Sequence, residues 1–198
     1  MDVMVSYRDH LREVEVALRG FGESQAFTLA AACSERQWPV YERAAVGMPW
    51  SKADVLRRTL DAVWEWLLRQ RGRPRGFARG CEEAVLEEIK DDVQNAASEV
   101  AGAFYGLASI VEGNRTMDVL YAAKANLSFV EAFLADLLDI EPTEKNASAI
   151  DSHELMQAEI GRQREDLSAL LRGVPMPSVV GEIRAKSAGV SLLGEYWW

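Results

Sequence analysis

The chain has 198 residues, 48% of them hydrophobic and 27% charged, with a net charge of −9. That composition is globular rather than disordered, and the length suits one domain. The acidic balance disfavours indiscriminate binding to nucleic acid or an anionic membrane, two cysteines cannot make a disulfide framework, and two histidines cannot make a histidine-rich metal cage.

In chain order, Met1 to His10 is acidic early and has no apolar core of the kind a secretory leader carries, so the expected compartment is the cytoplasm, with Cys33 and Cys81 reduced. A first helix starts at Ser6, which pairs with Asp9 as a capping box does. Tyr7, Leu11, Val14 and Leu18 form its apolar stripe, and Gly20 and Gly22 stop it. Ser24 is the expected cap of a second helix through Phe27, Ala31 and Cys33. Its nearly apolar run, Ala26 to Cys33, is far shorter than the roughly 20 residues of a membrane span. Pro39 has no N–H to donate and disfavours helix at Trp38, which predicts a break or kink there, then a short segment Tyr41 to Ala45 and a loop from Gly47 to Trp50.

Ser51 and Asp54 mark a third helix start. Val55, Leu56, Leu60, Val63, Trp64 and Leu67 make a wide core-facing stripe that ends near Gln70. The run Arg71-Gly72-Arg73-Pro74-Arg75-Gly76 reads as a loop. Cys81 to Lys90 reads as a short acidic helix, and Val100, Phe104, Leu107 and Val111 define a fifth helix stopped by Gly113. A sixth spans Thr116 to Leu138 with Leu120, Leu127, Val130 and Leu134 on one side, and Thr143 to Ser148 is a polar loop. Asp151 or Ser152 caps a seventh helix carrying Leu155, Ile160, Leu167 and Leu171, and Ser178 caps a last helix ending at Gly189. Alternating strand patterns are scarce and every gap is short. The expected fold is all-α: a single compact bundle of about seven to eight helices, with residues 1–198 forming one domain.

Two runs carry a family resemblance. Cys33-Ser34-Glu35-Arg36-Gln37-Trp38-Pro39-Val40-Tyr41 gives the pattern Cys-x-Glu-Arg-x-x-Pro-x-Tyr, and Arg57-Arg58-Thr59-Leu60-Asp61-Ala62-Val63-Trp64-Glu65 gives Arg-Arg-x-Leu-Asp-x-x-Trp-Glu. Together they resemble the YjaG-like family of uncharacterised bacterial proteins. The resemblance implies an all-helical domain of about this length and supplies no activity. The arginine-rich loop, Arg69 to Arg79, and the aromatic C-terminus depart from it.

Arg57, Asp61 and Glu65 follow at four-residue intervals along one face of the third helix, and Glu35 and Arg36 reach that face if helices two and three pair. The ordinary reading is a network of charged hydrogen bonds that locks the two helices. The functional alternative is an enzyme of unfamiliar type whose catalytic groups are Glu35, Arg36, Arg57 and Asp61. Glu-x-x-His and His-x-x-x-His pairs, phosphate-binding glycine loops and the Gly-x-Ser-x-Gly elbow are all missing, so no metal and no cofactor are expected. Arg69, Arg71, Arg73, Arg75 and Arg79 read as a solvated loop paired with the acidic stretch rather than as a nucleic-acid clamp.

The acidic stretch suits a partner. Glu83 and Glu87 are four apart, as are Glu88 and Asp92, giving two rows of like charge; the ordinary reading is a solvated face, and the functional one is a docking surface for a basic protein. Tyr196, Trp197 and Trp198 at the C-terminus supply apolar area for a groove of the same chain, a homodimer or a partner. The leading expectation is a non-enzymatic protein that works by protein–protein interaction through its acidic surface, of immunity or adaptor type.

Overall fold

The computed structural model describes residues 4–113, 115–172 and 176–193. Among these are nine α-helices, one 3₁₀ turn and no strand. The helices are α1 (Tyr7–Leu18), α2 (Glu23–Ala44), α3 (Ala53–Arg69), α4 (Ala78–Glu82), α5 (Asp92–Gly113), α6 (Val119–Leu137), α7 (Ala147–Ser152), α8 (Glu154–Leu170) and α9 (Met176–Ser187), and the 3₁₀ turn Thr116–Asp118 precedes α6. No helix among the described residues is long and apolar enough to cross a membrane.

The architecture follows from the run Ala26 to Cys33. A helix that is apolar all round has no face to offer water and must be surrounded. Every residue from Ala26 to Gln37 is buried, and α2 is the axis of the molecule. Helices α3, α5, α6, α8 and α9 form a closed ring about it, each packing on α2 and on its neighbours in that order. Outer helices then cover some of the ring's seams: α1 lies over α6 and α8, and α4 lies over α5 and α3.

Local rules hold at the first helix. Ser6 is the N-cap of α1, and its Oγ accepts the Asp9 N–H at 3.1 Å, while Val14 and Leu18 of the expected stripe are buried. Three starts move by one to three residues. α2 begins at Glu23, with the Gln25 side chain accepting the Gly22 N–H, and Ser24 instead donates to Gln70. The N-cap of α3 is Lys52, and α9 begins at Met176 rather than at Ser178. Residues 147–152 are helical where a loop and a cap were expected, because Ile150 is buried. His153 separates α7 from α8 and accepts the Leu155 N–H through its side chain.

Two expectations fail more substantially. Pro39 does not break α2, and Tyr41 to Ala44 is its last turn. Val40, Tyr41 and Ala44 are buried, so core packing holds the helix through the missing donor. The Arg36 carbonyl in the turn before the proline accepts the Leu192 N–H at 3.0 Å, tying the C-terminal segment to the axis. The acidic helix Cys81 to Lys90 is not one helix either. α4 stops at Glu82, irregular backbone follows, and Asp92 already belongs to α5. Side chains of α5 supply the acceptors a helix would have supplied. Ser98 Oγ takes the Leu86 N–H at 3.2 Å, and Gln94 Oε1 takes the Lys90 N–H at 2.9 Å. Like charges four residues apart add a penalty to the helical alternative.

Candidate functional site: a polar turn on the axis, an acidic strip and an open seam

One turn of α2 carries polar side chains into the centre of the molecule. At 100° per residue, Glu35, Arg36 and Gln37 point toward three different sectors of the ring. Glu35 faces α3, Arg36 faces α8 and α9, and Gln37 faces α6. The expected cluster of Glu35, Arg36, Arg57 and Asp61 is therefore split. Glu35, Arg57 and Asp61 meet between α2 and α3, and Arg36 lies in a separate network.

In the first network Arg57 makes four hydrogen bonds to two carboxylates. Nη1 and Nη2 reach Glu35 at 2.8 and 3.3 Å, and Nε and Nη2 reach Asp61 at 3.2 and 2.7 Å. Trp64 Nε1 donates to Glu35 at 2.6 Å, and Arg184 of α9 donates to Asp61 at 3.1 Å. The guanidinium also lies 5.6 Å from the centre of the Trp38 ring. Burial opposes the charge on Arg57, but Asp61 and Glu35 together raise its pKa above the ordinary value. The Arg57 hydrogen bond holds the Asp61 carboxyl below its usual range. Two cations neutralise two anions, and the α3–α9 seam is clamped shut.

The second network is enclosed. Glu159 Oε1 accepts from Arg36 Nε at 3.2 Å and Nη2 at 3.1 Å, from Asn126 Nδ2 at 3.0 Å and from Gln163 Nε2 at 2.9 Å. Arg36 Nη1 donates to Asp166 at 2.8 Å and to Ser187 Oγ at 3.3 Å. His10 Nε2 hydrogen-bonds Gln163 Oε1 at 3.0 Å, and Gln37 donates to Asn126 Oδ1. Burial would push the Arg36 pKa down, yet Glu159 and Asp166 hold it well above the ordinary value. Asp166 is raised, because burial outweighs the pull of Arg36. Burial also pushes the Cys33 thiol up to about 12 and raises Cys81, as expected of packed rather than reactive cysteines. This network fixes the rotational setting of α1, α2, α6, α8 and α9 against one another.

The partners of Arg36 escaped the sequence reading. Their signal was present on α8, where Glu159, Gln163 and Asp166 interrupt the apolar stripe at helical spacing. A polar stripe on a core face requires a buried partner, and a buried arginine on the axis is that partner.

The acidic residues form a strip instead of two helical rows. Glu82, Glu83, Glu87, Glu88, Asp91 and Asp92 are all exposed, and so is Ile89 among them. Glu83 pairs with Arg79 at 3.1 Å. The strip is fastened at both ends, by buried Cys81 and Ala84 and by Asp91 Oδ1, which accepts the Gln94 N–H at 2.8 Å at the start of α5. The arginine loop is anchored too: Arg73 pairs with Glu23 and stands 5.2 Å from the Trp66 ring centre, and Arg69 pairs with Glu65. Tyr196, Trp197 and Trp198 lie outside the described residues.

A third feature went unread in the sequence. Between α5 and α6 runs an open groove of about 420 Å³, lined by small residues such as Gly102, Ala103, Gly106, Ala122 and Ala125, with Gln37 at its floor.

Comparison with known proteins then gives the following. A family model described as a protein of unknown function (DUF416) matches residues 13–194. The crystal structure of a DUF416 family protein from Shewanella baltica OS155 superposes with a TM-score of 0.82 at 19% identity, covering 91% of this chain and 96% of that one. No curated protein matches the chain.

Proposed function

The chain belongs to the DUF416 family of proteins of unknown function, and from that premise we propose that it is a binding protein whose acidic strip, residues 82–92, receives a basic protein partner. The observation that carries this reading is the composition and fixing of the strip. Six exposed carboxylates flank one exposed apolar side chain, Ile89, along the chain, on backbone held by α5. Six carboxylates against the one Lys90 make a strongly anionic surface that accelerates encounter with a basic protein, and a strip whose backbone is already fixed loses little conformational entropy on docking. Ile89 then supplies the apolar contact that charge alone does not.

The specific form is an immunity-type or adaptor role, in which a basic protein is captured and held. Its support is the net charge of −9 together with the strip. Within the family, the narrower likeness to YjaG-like proteins rests on the Cys33–Tyr41 and Arg57–Glu65 motifs.

A photo-crosslinking side chain placed at Ile89 tests the reading, with the same group at Val16, exposed on α1, as the control. In intact cells the Ile89 probe should give adducts to basic proteins that the Val16 probe lacks. Changing Glu83, Glu87, Glu88 and Asp92 to Lys should abolish them. Identical adduct patterns from both positions, or adducts indifferent to the charge reversal, would contradict the proposal.

A further inference from the structure

The ring about α2 is closed differently at each seam. The α6–α8 seam is covered by α1 and the α3–α5 seam by α4. Charged side chains close the other two α9 contacts: Arg184–Asp61 toward α3, and Lys186–Glu165 toward α8. At the α5–α6 seam no described α-helix lies on top, the 3₁₀ turn packs on both helices only at the end where it joins them, and Gly102, Ala103, Gly106, Ala122 and Ala125 are too small to fill the gap. The result is the groove of about 420 Å³.

Glycine on a packed helix usually marks a place where two backbones approach too closely for a Cβ. Gly102 and Gly106, one turn apart in α5, do not fit that explanation. A Cβ built on either meets nothing within 4 Å. Each costs its helix roughly 1 kcal/mol relative to alanine, and no contact among the described residues explains them. Both widen the groove.

A second observation comes from its floor. Gln37 is 2% exposed and lines the groove. Its amide N–H goes to Asn126 Oδ1, whose own amide is committed to Glu159 and the Cys33 carbonyl. That chain of donors fixes the orientation of Gln37, and among the described residues no group donates to its Oε1. The residue is otherwise enclosed, so Oε1 is an acceptor opening onto an apolar groove, which a ligand carrying a donor could meet.

Length and charge identify the occupant. The α5 wall runs from Glu99 to Ile110, about 16 Å at 1.5 Å per residue, or three helical turns. Glu99, Asn95 and Asp92 continue along the same helical face into the acidic strip, whereas Tyr121 stands exposed at the opposite end. The groove is thus apolar in the middle, anionic at one end and aromatic at the other.

We infer that the α5–α6 seam is a docking groove for one amphipathic helix of a basic partner protein, with small apolar residues facing Gly102 and Gly106, a hydrogen-bond donor meeting Gln37 Oε1, and Lys or Arg residues beside Glu99 and Asp92. This deepens the acidic-strip reading by giving the partner's shape, and helix-in-groove recognition is its physical form.

The test uses the full chain and a dye-labelled amphipathic peptide of Leu, Ala and Lys about three turns long, with a Glu-for-Lys peptide as control. Fluorescence anisotropy should show the Lys peptide binding and the Glu peptide not binding. Filling the groove with Gly102→Leu and Gly106→Leu should weaken binding at least about tenfold, while thermal unfolding shows a melting temperature equal to or above that of the native chain. Changing Glu87, Glu88 and Asp91 to Lys should weaken it far less, which separates failure of the groove from failure of the strip. Equal binding by the filled variant would overturn the inference. So would a lowered melting temperature for that variant, which would mean that the chain's own residues 194–198 already occupy the space, or a dimer in sedimentation that the filled variant dissolves, which would assign the groove to a second copy.

Discussion

Gly102 and Gly106 sit in the interior of a long helix where alanine would be preferred, and their surroundings leave room for it. Gly102→Ala and Gly106→Ala should each raise stability by about 0.5–1 kcal/mol in urea unfolding. No gain would mean that a contact at the glycine position is worth as much as the helix preference. Cys33 makes a chemical prediction at the same scale. Its thiol is fully buried and raised to about 12, so a disulfide reagent at neutral pH should leave it unmodified in the folded chain and react once denaturant is added. Asp61 predicts a pH dependence. Its carboxyl is lowered chiefly by the Arg57 hydrogen bond, so as the pH falls the unfolded chain takes up the proton first. The stabilisation is complete above the ordinary value of 3.8 and disappears as the pH falls through the lowered one. Since Asp61 is half exposed, Asp61→Asn should cost only about 0.2–1 kcal/mol at neutral pH. The gap between variant and native chain should close in acid.

Among the elements, α2 bears the greatest demand, because its polar turn lies where no water can reach it. Arg36→Met would leave Asp166 buried without its counter-ion and Glu159 with only Arg162, 3.7 Å away, and should cost about 3–5 kcal/mol in denaturant unfolding. Adding Glu159→Gln and Asp166→Asn should recover a large part of that loss. A loss under about 1 kcal/mol for Arg36→Met would show that the network is dispensable. The same helix shows how far sequence carries. The caps and stripes of α1, α3 and α5 are local, repeat at helical spacing, and were legible to within a residue or two or by their core faces. Glu35, Arg57 and Asp61 were legible for the same reason: a four-residue spacing on α3 met by one residue of α2. The partners of Arg36 lie more than a hundred residues away, and no local pattern joins them to it. Pro39 is a breaker by local rules, whereas the packing of Val40, Tyr41 and Ala44 that carries the helix past it is not local. The acidic strip misled because its backbone donors are satisfied by Ser98 and Gln94, side chains of the following helix.

Taken whole, the molecule is a helix enclosed by five others, with its ionisable interior paired off and its outward features gathered along α5. The acidic strip leads into the N-terminal end of α5, and the groove runs along the same helix. The fold was legible as a bundle from periodicity alone. The order of helices around α2 was not, because that order is set by which ring helix answers each residue of one polar turn. The placing of function on α5 is tested most directly by recording amide correlation spectra of the isotope-labelled chain while adding the Lys-bearing amphipathic peptide. The account predicts that the Gly102 and Gly106 amides and those of Asp92 and Glu99 shift together and saturate at one equivalent. Shifts centred instead on Arg57, Asp61 and Arg184, or an unchanged spectrum, would contradict it.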